Sequence, residues 1–376
     1  MKVLLVGNYG VGNLGDELLR EYFLRRYPEA GWMVVSGNPH GEQEVPRIPA
    51  GIRSFLALRW WRTVQAMRRC DAVVFGGGTL FTDVESPRAC VIWGLHALAA
   101  RLLRKPVLFA FQGVGPLRTA KGKRWARRAL RHARFLSVRD THSFDRAKAL
   151  VPRVPLVQAF DPVLLLIHAE KTEAPAGRVF TLIPRHNSPA AFVEHAKLLL
   201  SRGKYEGVTV LSLHPDHPGE KGVCRKVQEA IPVAELWEVR TLEGLLRHLR
   251  RSSYVLSARY HGALAALALG IPFETFVQEK RDKLSSLTTT ELRGALLALA
   301  ERGERELKQE LESLGMPKRA NEEAPASATM AAHAKDRPFQ GSPTGTLSLP
   351  HASAHDGGVC GAGGDRGGGD GAAGGH

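Results

Sequence analysis

The apolar positions of this chain cluster in short runs of Val, Leu and Phe, each followed by a glycine-bearing turn and a longer stretch with helical spacing. Short apolar runs bounded this way read as strands buried on both faces, and their alternation with helices is the pattern of a parallel sheet. A first series predicts strands at Val3–Val6, Met33–Val35, Ala72–Phe75, Val107–Phe111 and Phe135–Val138. After the proline-bearing stretch from Asp161-Pro162 to Arg178, a second series predicts strands at Val179–Ile183, Val208–Leu213, Tyr254–Ser257 and Pro272–Val277. The expected fold is α/β, with Rossmann-like domains at residues 1–165 and 178–316. From about Pro317 the composition turns to Ala, Ser, Pro and Gly, too poor in apolar surface to offset chain entropy. A disordered tail is expected over 317–376, a composition that a frameshifted GC-rich gene would also produce. Open parallel sheets bind ligands at the carboxyl ends of their strands, so chemistry is expected in the turns after strands.

With 376 residues, 44% of them hydrophobic, the chain has room for two ordinary domains, which excludes a fibrous or wholly disordered protein. Lys and Arg total 52 against 37 Asp and Glu, a formal charge of +15. The excess implies an anionic partner: a phosphorylated substrate, an acidic lipid surface or a nucleic acid. Cys70, Cys90, Cys224 and Cys360 stand alone, so neither a zinc site nor a disulfide framework is signalled and a reducing cytoplasm fits. The opening MKVLLVGNYG is short for a signal peptide, and no window reaches the roughly 20 apolar residues of a membrane span. Any membrane association is expected to be peripheral.

Three first-domain turns could face an anion. In GNYGVGNLGDE, Gly10, Gly12 and Gly15 follow a strand with Asn13 between them, and Asp16 is placed to cap the next helix, whose amides would face a phosphate. A dinucleotide fold would need an acidic residue ending the second strand, where Ser36, Gly37 and Asn38 stand instead. Gly76, Gly77, Gly78 and Thr79 follow the next strand, and Gln112, Gly113 and Gly115 another, letting backbone amides approach a ligand without Cβ obstruction. Each set also reads as a tight turn. FLSVRD then places Arg139 at the sheet edge, where a guanidinium can hold a carboxylate or phosphate, or pair with Asp140.

In the second domain SARYHGALAALALGIPF sets Ser257, Arg259 and His261 before an apolar helix. His261 would stand at the helix N-terminus, ready for proton exchange, with Arg259 on the same side to bind an anion. Lys280, Arg281 and Lys283 follow the last strand as further cations. The basic run from Arg118 to Arg134, with Trp125 interleaved, reads as a solvated helix face or as a surface resting on the anionic inner leaflet. No nucleic-acid module is recognisable, so nucleic acid is not an expected partner. His214, Asp216 and His217 in a post-strand loop hint only faintly at a metal.

Taken in order, GNYGVGNLGDE, DAVVFGGGTLF, FQGVGPL, SVRD, DPVLLL and SARYHGALAALALGIPF resemble the polysaccharide pyruvyl transferase family, and most closely its cell-wall branch that anchors a surface layer. The resemblance runs from Lys2 to Lys283. It implies a glycosyltransferase-B-like arrangement with an acceptor-side first domain and a donor-side second one. It also implies transfer of a pyruvyl group from phosphoenolpyruvate, as a ketal, onto a sugar of a surface polysaccharide or its lipid-linked diphosphate precursor. Catalytic weight would fall on Arg139 and His261, donor binding on Arg259 and one of Lys280, Arg281 and Lys283, where Gln278 and Glu279 replace the family's usual tyrosine-aspartate context. Gly10 to Asp16, Gly76 to Thr79 and Gln112 would receive the acceptor. The scheme needs no metal and no cofactor beyond phosphoenolpyruvate as co-substrate. It places the enzyme in the cytoplasm or against the inner face of the membrane. A nucleotide-sugar glycosyltransferase of the same fold would want a carboxylate for the ribose, which Ser257 to His261 does not supply. A non-catalytic binder of anionic glycans or lipid headgroups would use the same basic cleft without chemistry.

Overall fold

The computed structural model describes residues 1–318 except 85, 87, 171–176, 278–283, 285–286 and 288–291. The first half runs β1 (Lys2–Tyr9), α1 (Leu14–Arg26), β2 (Gly31–Ser36), β3 (Glu44–Pro46), α2 (Ile52–Leu56), α3 (Trp61–Arg69) and β4 (Ala72–Gly76), then α4 (Ala89–Leu102), β5 (Val107–Gln112), α5 (Ala120–Leu130), β6 (Phe135–Val138), α6 (Thr141–Leu150) and β7 (Val157–Gln158). The second half runs α7 (Val163–Ala169), β8 (Val179–Ile183), α8 (Ala190–Arg202), β9 (Gly207–Ser212), α9 (Pro218–Ala230) and β10 (Ala234–Glu238), then α10 (Leu242–Leu249), β11 (Ser252–Ser257), α11 (Tyr260–Leu269), β12 (Phe273–Thr275) and α12 (Arg293–Ser313).

Among the described residues these form two all-parallel sheets, a seven-stranded one in the order β3-β2-β1-β4-β5-β6-β7 and a five-stranded one in the order β10-β9-β8-β11-β12. The central strands are covered on both faces, which is why β4 and β5 are buried at every position and were legible as unbroken apolar runs. The strands that the apolar pattern did not predict, β3, β7 and β10, all lie at sheet edges. Two are only two or three residues long, and β10 alternates exposed Glu235 with buried Ala234 and Leu236. The fourth edge, β12, is shorter than the run from Pro272 to Val277 suggests.

One face of the first sheet packs Val6, Phe75 and Phe109 against α3, α4 and α5 through Met67, Trp93 and Leu130. The other face shares a core with the second half: Leu18, Tyr22 and Phe23 of α1 join Ile167 of α7, Leu264 of α11 and Leu307 of α12. Although α12 follows the second series of strands, it lies on the first sheet. Glu304 accepts from both Arg26 Nε and Nη2, at 2.6 and 2.7 Å, and from Tyr22 Oη at 2.8 Å. Residues 319–376, including Cys360, lie outside the described residues.

Candidate active site

Each sheet reverses its strand order once, between β1 and β4 and between β8 and β11, the place at which open parallel sheets bind ligands. The turn after β1 reaches the second sheet: the Leu14 amide donates to the Leu213 carbonyl at 2.9 Å and His214 Nε2 donates to the Val11 carbonyl at 2.9 Å. Arg259 Nη1 donates to Asn13 Oδ1 at 3.2 Å across the same junction. The two halves therefore meet through the turns in which chemistry was expected.

At the centre of that junction lies Asp161, which follows β7 and is fully buried. Its Oδ2 accepts from Arg139 Nη1 at 2.7 Å and stands 3.6 Å from His261 Nε2, an ion-pair distance rather than a hydrogen bond. Burial alone would push the carboxyl up, but His261, the Arg139 charge and the Val163 amide outweigh it and hold Asp161 well below the usual carboxylate range. Arg139, 1% exposed at the end of β6, gives its second nitrogen, Nη2, to Thr79 Oγ1 at 2.9 Å, and its Cζ lies 5.0 Å from the centre of the Tyr260 ring. Desolvation disfavours its charge, but Asp161, Tyr260 and Asp140 keep the guanidinium firmly protonated. Asp140, the adjacent carboxylate offered as an alternative partner, instead caps α6 by accepting from the Ser143 amide and hydroxyl, each at 2.7 Å.

His261 is in the first turn of α11 with its Nδ1 against Gly15, where a Cβ would collide with the ring. Glycine is required there by close approach: only a residue without a side chain lets α1 and the His261 imidazole share the space. Gly113 is similarly placed, since a Cβ would lie 2.6 Å from Thr79 Oγ1 and 3.2 Å from Arg139 Nε. Gly77 and Gly78 turn the chain after β4 with φ of +78° and +76° and carry it to Thr79. Among the described residues Arg139 Nε, Gln112 Oε1 and His261 Nε2 are buried without a hydrogen-bond partner.

The remaining predicted site residues are placed less openly. Asn13, not Asp16, occupies the N-cap position of α1; Asp16 is already the third residue of the helix, in its first turn, where its carboxylate accepts from Asn8 Nδ2 at 2.8 Å and Asn13 Nδ2 at 2.7 Å. The Gly10 amide is taken by Glu17 at 2.7 Å, and a Cβ at Gly12 would meet Asp216. Gln112 turns its amide into the sheet and donates to the Phe75 and Ala110 carbonyls. Gly76 lies in β4 itself, its carbonyl accepting from Tyr9 Oη at 2.6 Å. Arg259 forms an ion pair with fully buried Glu220, the first-turn acid of α9. Lys280, Arg281 and Lys283 lie outside the described residues. Asp216 is held by Arg240 through two bonds at 2.7 and 2.8 Å, and among the described residues no three His, Cys, Asp or Glu side chains cluster to hold a metal.

Sequence reasoning left out Asp161, Glu220 and Tyr260 as site residues. Asp161 carried a signal, the Asp-Pro step that starts the DPVLLL helix, but its partners are 22 and 100 positions away and only the fold joins them. A family model for polysaccharide pyruvyl transferases matches residues 13–274, the span that contains the whole constellation. The chain belongs to this family. The family is one of transferases and implies a polysaccharide substrate. No curated protein matches the chain in sequence. Solved structures share its fold. UDP-N-acetylglucosamine 2-epimerase from Rickettsia bellii is 12% identical with a TM-score of 0.54, over 84% of this chain and 97% of that one. Anabaena HepE in complex with UDP-glucose is also 12% identical, with a TM-score of 0.53 over 83% and 100%. The Methanocaldococcus jannaschii UDP-GlcNAc 2-epimerase gives 12%, 0.52, 83% and 100%. The family member thus has two Rossmann-like sheets in a glycosyltransferase-B-like arrangement, and among its described residues no helix is long and apolar enough to cross a membrane.

Proposed function

We propose that the protein transfers the pyruvyl group of phosphoenolpyruvate, as a cyclic ketal, onto a sugar of a cell-surface polysaccharide or its lipid-linked precursor, with the polymer that anchors a surface layer as the favoured acceptor. The observation that carries the reading is the junction of Arg139, Asp161 and His261, an acid–base group and its counter-charges gathered from both halves at one buried point. Ketal formation begins with proton transfer to the methylene carbon of the enol phosphate. A sugar hydroxyl then attacks the adjacent carbon and releases its proton. Phosphate leaves that carbon as a second hydroxyl closes the ring and gives up its own proton, so one phosphoenolpyruvate and one diol yield one ketal and one inorganic phosphate.

In this scheme His261 is the general acid. Its Nε2 is turned to Asp161, which leaves Nδ1, facing the first turn, as the nitrogen that exchanges a proton. Arg139, with both Nη atoms engaged, acts through Asp161 by fixing the carboxylate that balances the imidazolium. Arg259 supplies charge for the carboxylate or phosphate of the donor, exchanging its contact with Glu220 or sharing it, together with a cation among Lys280, Arg281 and Lys283. The turns at Gly10 to Asp16 and Gly76 to Thr79, with Gln112 behind them, border the acceptor side. The polymer precursor is met at the cytoplasmic face, where the basic run from Arg118 to Arg134 faces solvent on α5; Trp125 in that run packs on Gly94 of α4.

The test is phosphate release from phosphoenolpyruvate by purified protein, with and without a panel of lipid-linked and model sugars. Release should require an acceptor, and His261→Ala should slow it by about a hundredfold to ten-thousandfold, the usual worth of a positioned acid. A His261→Ala variant that turns over normally would remove the residue from this role. The fold shared with UDP-sugar enzymes favours a second reading, glycosyl transfer from a nucleotide sugar. Nucleotide-sugar turnover without phosphoenolpyruvate consumption would establish that reading instead.

A further inference from the structure

Between β3 and α3 the chain makes an excursion in which every residue from 53 to 59 is exposed. Phe55, Leu56, Leu58 and Trp61 are 45%, 71%, 62% and 46% exposed, four of the nine large apolar side chains left in water among the described residues. Such a concentration within seven positions is unlike the scattered exposed leucines of an ordinary surface. Leu58 has φ of +55°, a backbone that favours glycine, yet the position carries a large apolar side chain turned outward. The excursion is held in shape locally: Trp60 stacks on Phe55 with ring centres 4.5 Å apart and its indole donates to the Phe55 carbonyl at 2.7 Å.

Charge says what this tip meets. From Pro46 to Cys70 the chain has Arg47, Arg53, Arg59, Arg62, Arg68 and Arg69 and no Asp or Glu. Helix α5, on the same face of the sheet, adds exposed Lys121, Lys123, Arg124 and Arg128. Apolar side chains ringed only by arginines match a surface that is uniformly anionic outside and apolar beneath, which is a bilayer. The position matches as well. Thr63 in the first turn of α3 donates to the carbonyl of Pro46 at the carboxyl end of β3, so the excursion stands along the same carboxyl-terminal side of the sheet as the turns that carry the candidate site.

We propose that residues 53–62 are a membrane-interface anchor. Phe55, Leu56, Leu58 and Trp61 enter the headgroup boundary while Arg53, Arg59 and Arg62 rest on lipid phosphates, presenting the carboxyl edge of the first sheet to the lipid surface. The proposal does not depend on pyruvyl transfer, because its readout is lipid binding. The full chain should co-sediment with phosphatidylcholine vesicles containing phosphatidylglycerol and poorly with phosphatidylcholine alone. Leu56→Asp with Leu58→Asp should weaken that binding by about tenfold or more at an unchanged melting temperature, since both side chains are in water in the free protein. Quenching of tryptophan fluorescence by brominated acyl chains should accompany wild-type binding and vanish in the variant. Failure of the wild type to bind either vesicle would overturn the proposal, as would a variant that binds like wild type, which would leave the basic helices alone responsible. Conversion of a dimer to a monomer by the variant, with vesicle binding retained, would assign the tip to a second copy of the chain and overturn it equally.

Discussion

Replacing Asp161 by Asn keeps the shape of the side chain and removes the carboxylate that bonds Arg139 directly, leaving Asp140 and the Tyr260 ring as its more distant support. Arg139 is 1% exposed, and its closest carboxylate, at 2.7 Å, is Asp161 itself. Losing one member of a buried ion pair leaves the other charge desolvated, at a cost of about 3–5 kcal/mol. For a chain of this size that corresponds to a fall of about 4–7 °C in melting temperature. Arg139→Gln removes the stranded cation, so the double variant Asp161→Asn/Arg139→Gln should recover part of the loss, with a coupling of about 3 kcal/mol in the cycle. Thermal unfolding followed by circular dichroism measures all four proteins, and phosphate release measured alongside should fall in Asp161→Asn because His261 loses its counter-charge. The pH dependence has a definite sign. The Asp161 carboxyl is depressed in the folded protein, so its stabilisation is complete above the ordinary carboxylate range and is lost only as acid takes the solution below it. An Asp161→Asn protein within about 1 kcal/mol of wild type near neutral pH, or additive losses in the cycle, would refute the assignment of this pair as the electrostatic centre of the junction.

Other consequences can be checked separately. Buried His96 accepts from the Ile48 amide at 3.0 Å and donates through Nδ1 to the Ile92 carbonyl at 2.8 Å, and burial pushes it from 6.5 down to about 4. Because the folded value is the lower one, stability is full above 6.5 and is lost as pH falls from there toward 4, by about 3 kcal/mol; His96→Gln, which keeps a donor and an acceptor, should flatten that slope in denaturant titrations, and an unchanged slope would exclude His96 as its source. Gly15→Ala sets a methyl group against the His261 ring and should cut phosphate release by about a hundredfold and cost about 1–3 kcal/mol of stability as the ring or α1 shifts, whereas full activity would mean the ring position is not critical.

Much of the fold was legible without tertiary information because the central strands of a covered parallel sheet must be apolar at nearly every position. Val3 to Val6, Ala72 to Phe75 and Val107 to Phe111 carry that pattern in full and lie within β1, β4 and β5. The edges β3, β7 and β10 escaped because a strand with one open side needs no continuous apolar run. The sequence alone also placed Arg139 at the end of a strand and His261 at the start of a helix, since both positions follow from local pattern. It did not determine their partners. That Arg139 bonds Asp161 rather than adjacent Asp140, that Asp161 also faces a histidine 100 positions on, and that Gly15 exists to make room for that histidine depend on how two sheets dock. Local propensity governs residues a few positions apart. Charges and rings separated by long stretches of chain are brought together only when the shared core of α1, α7, α11 and α12 closes around them.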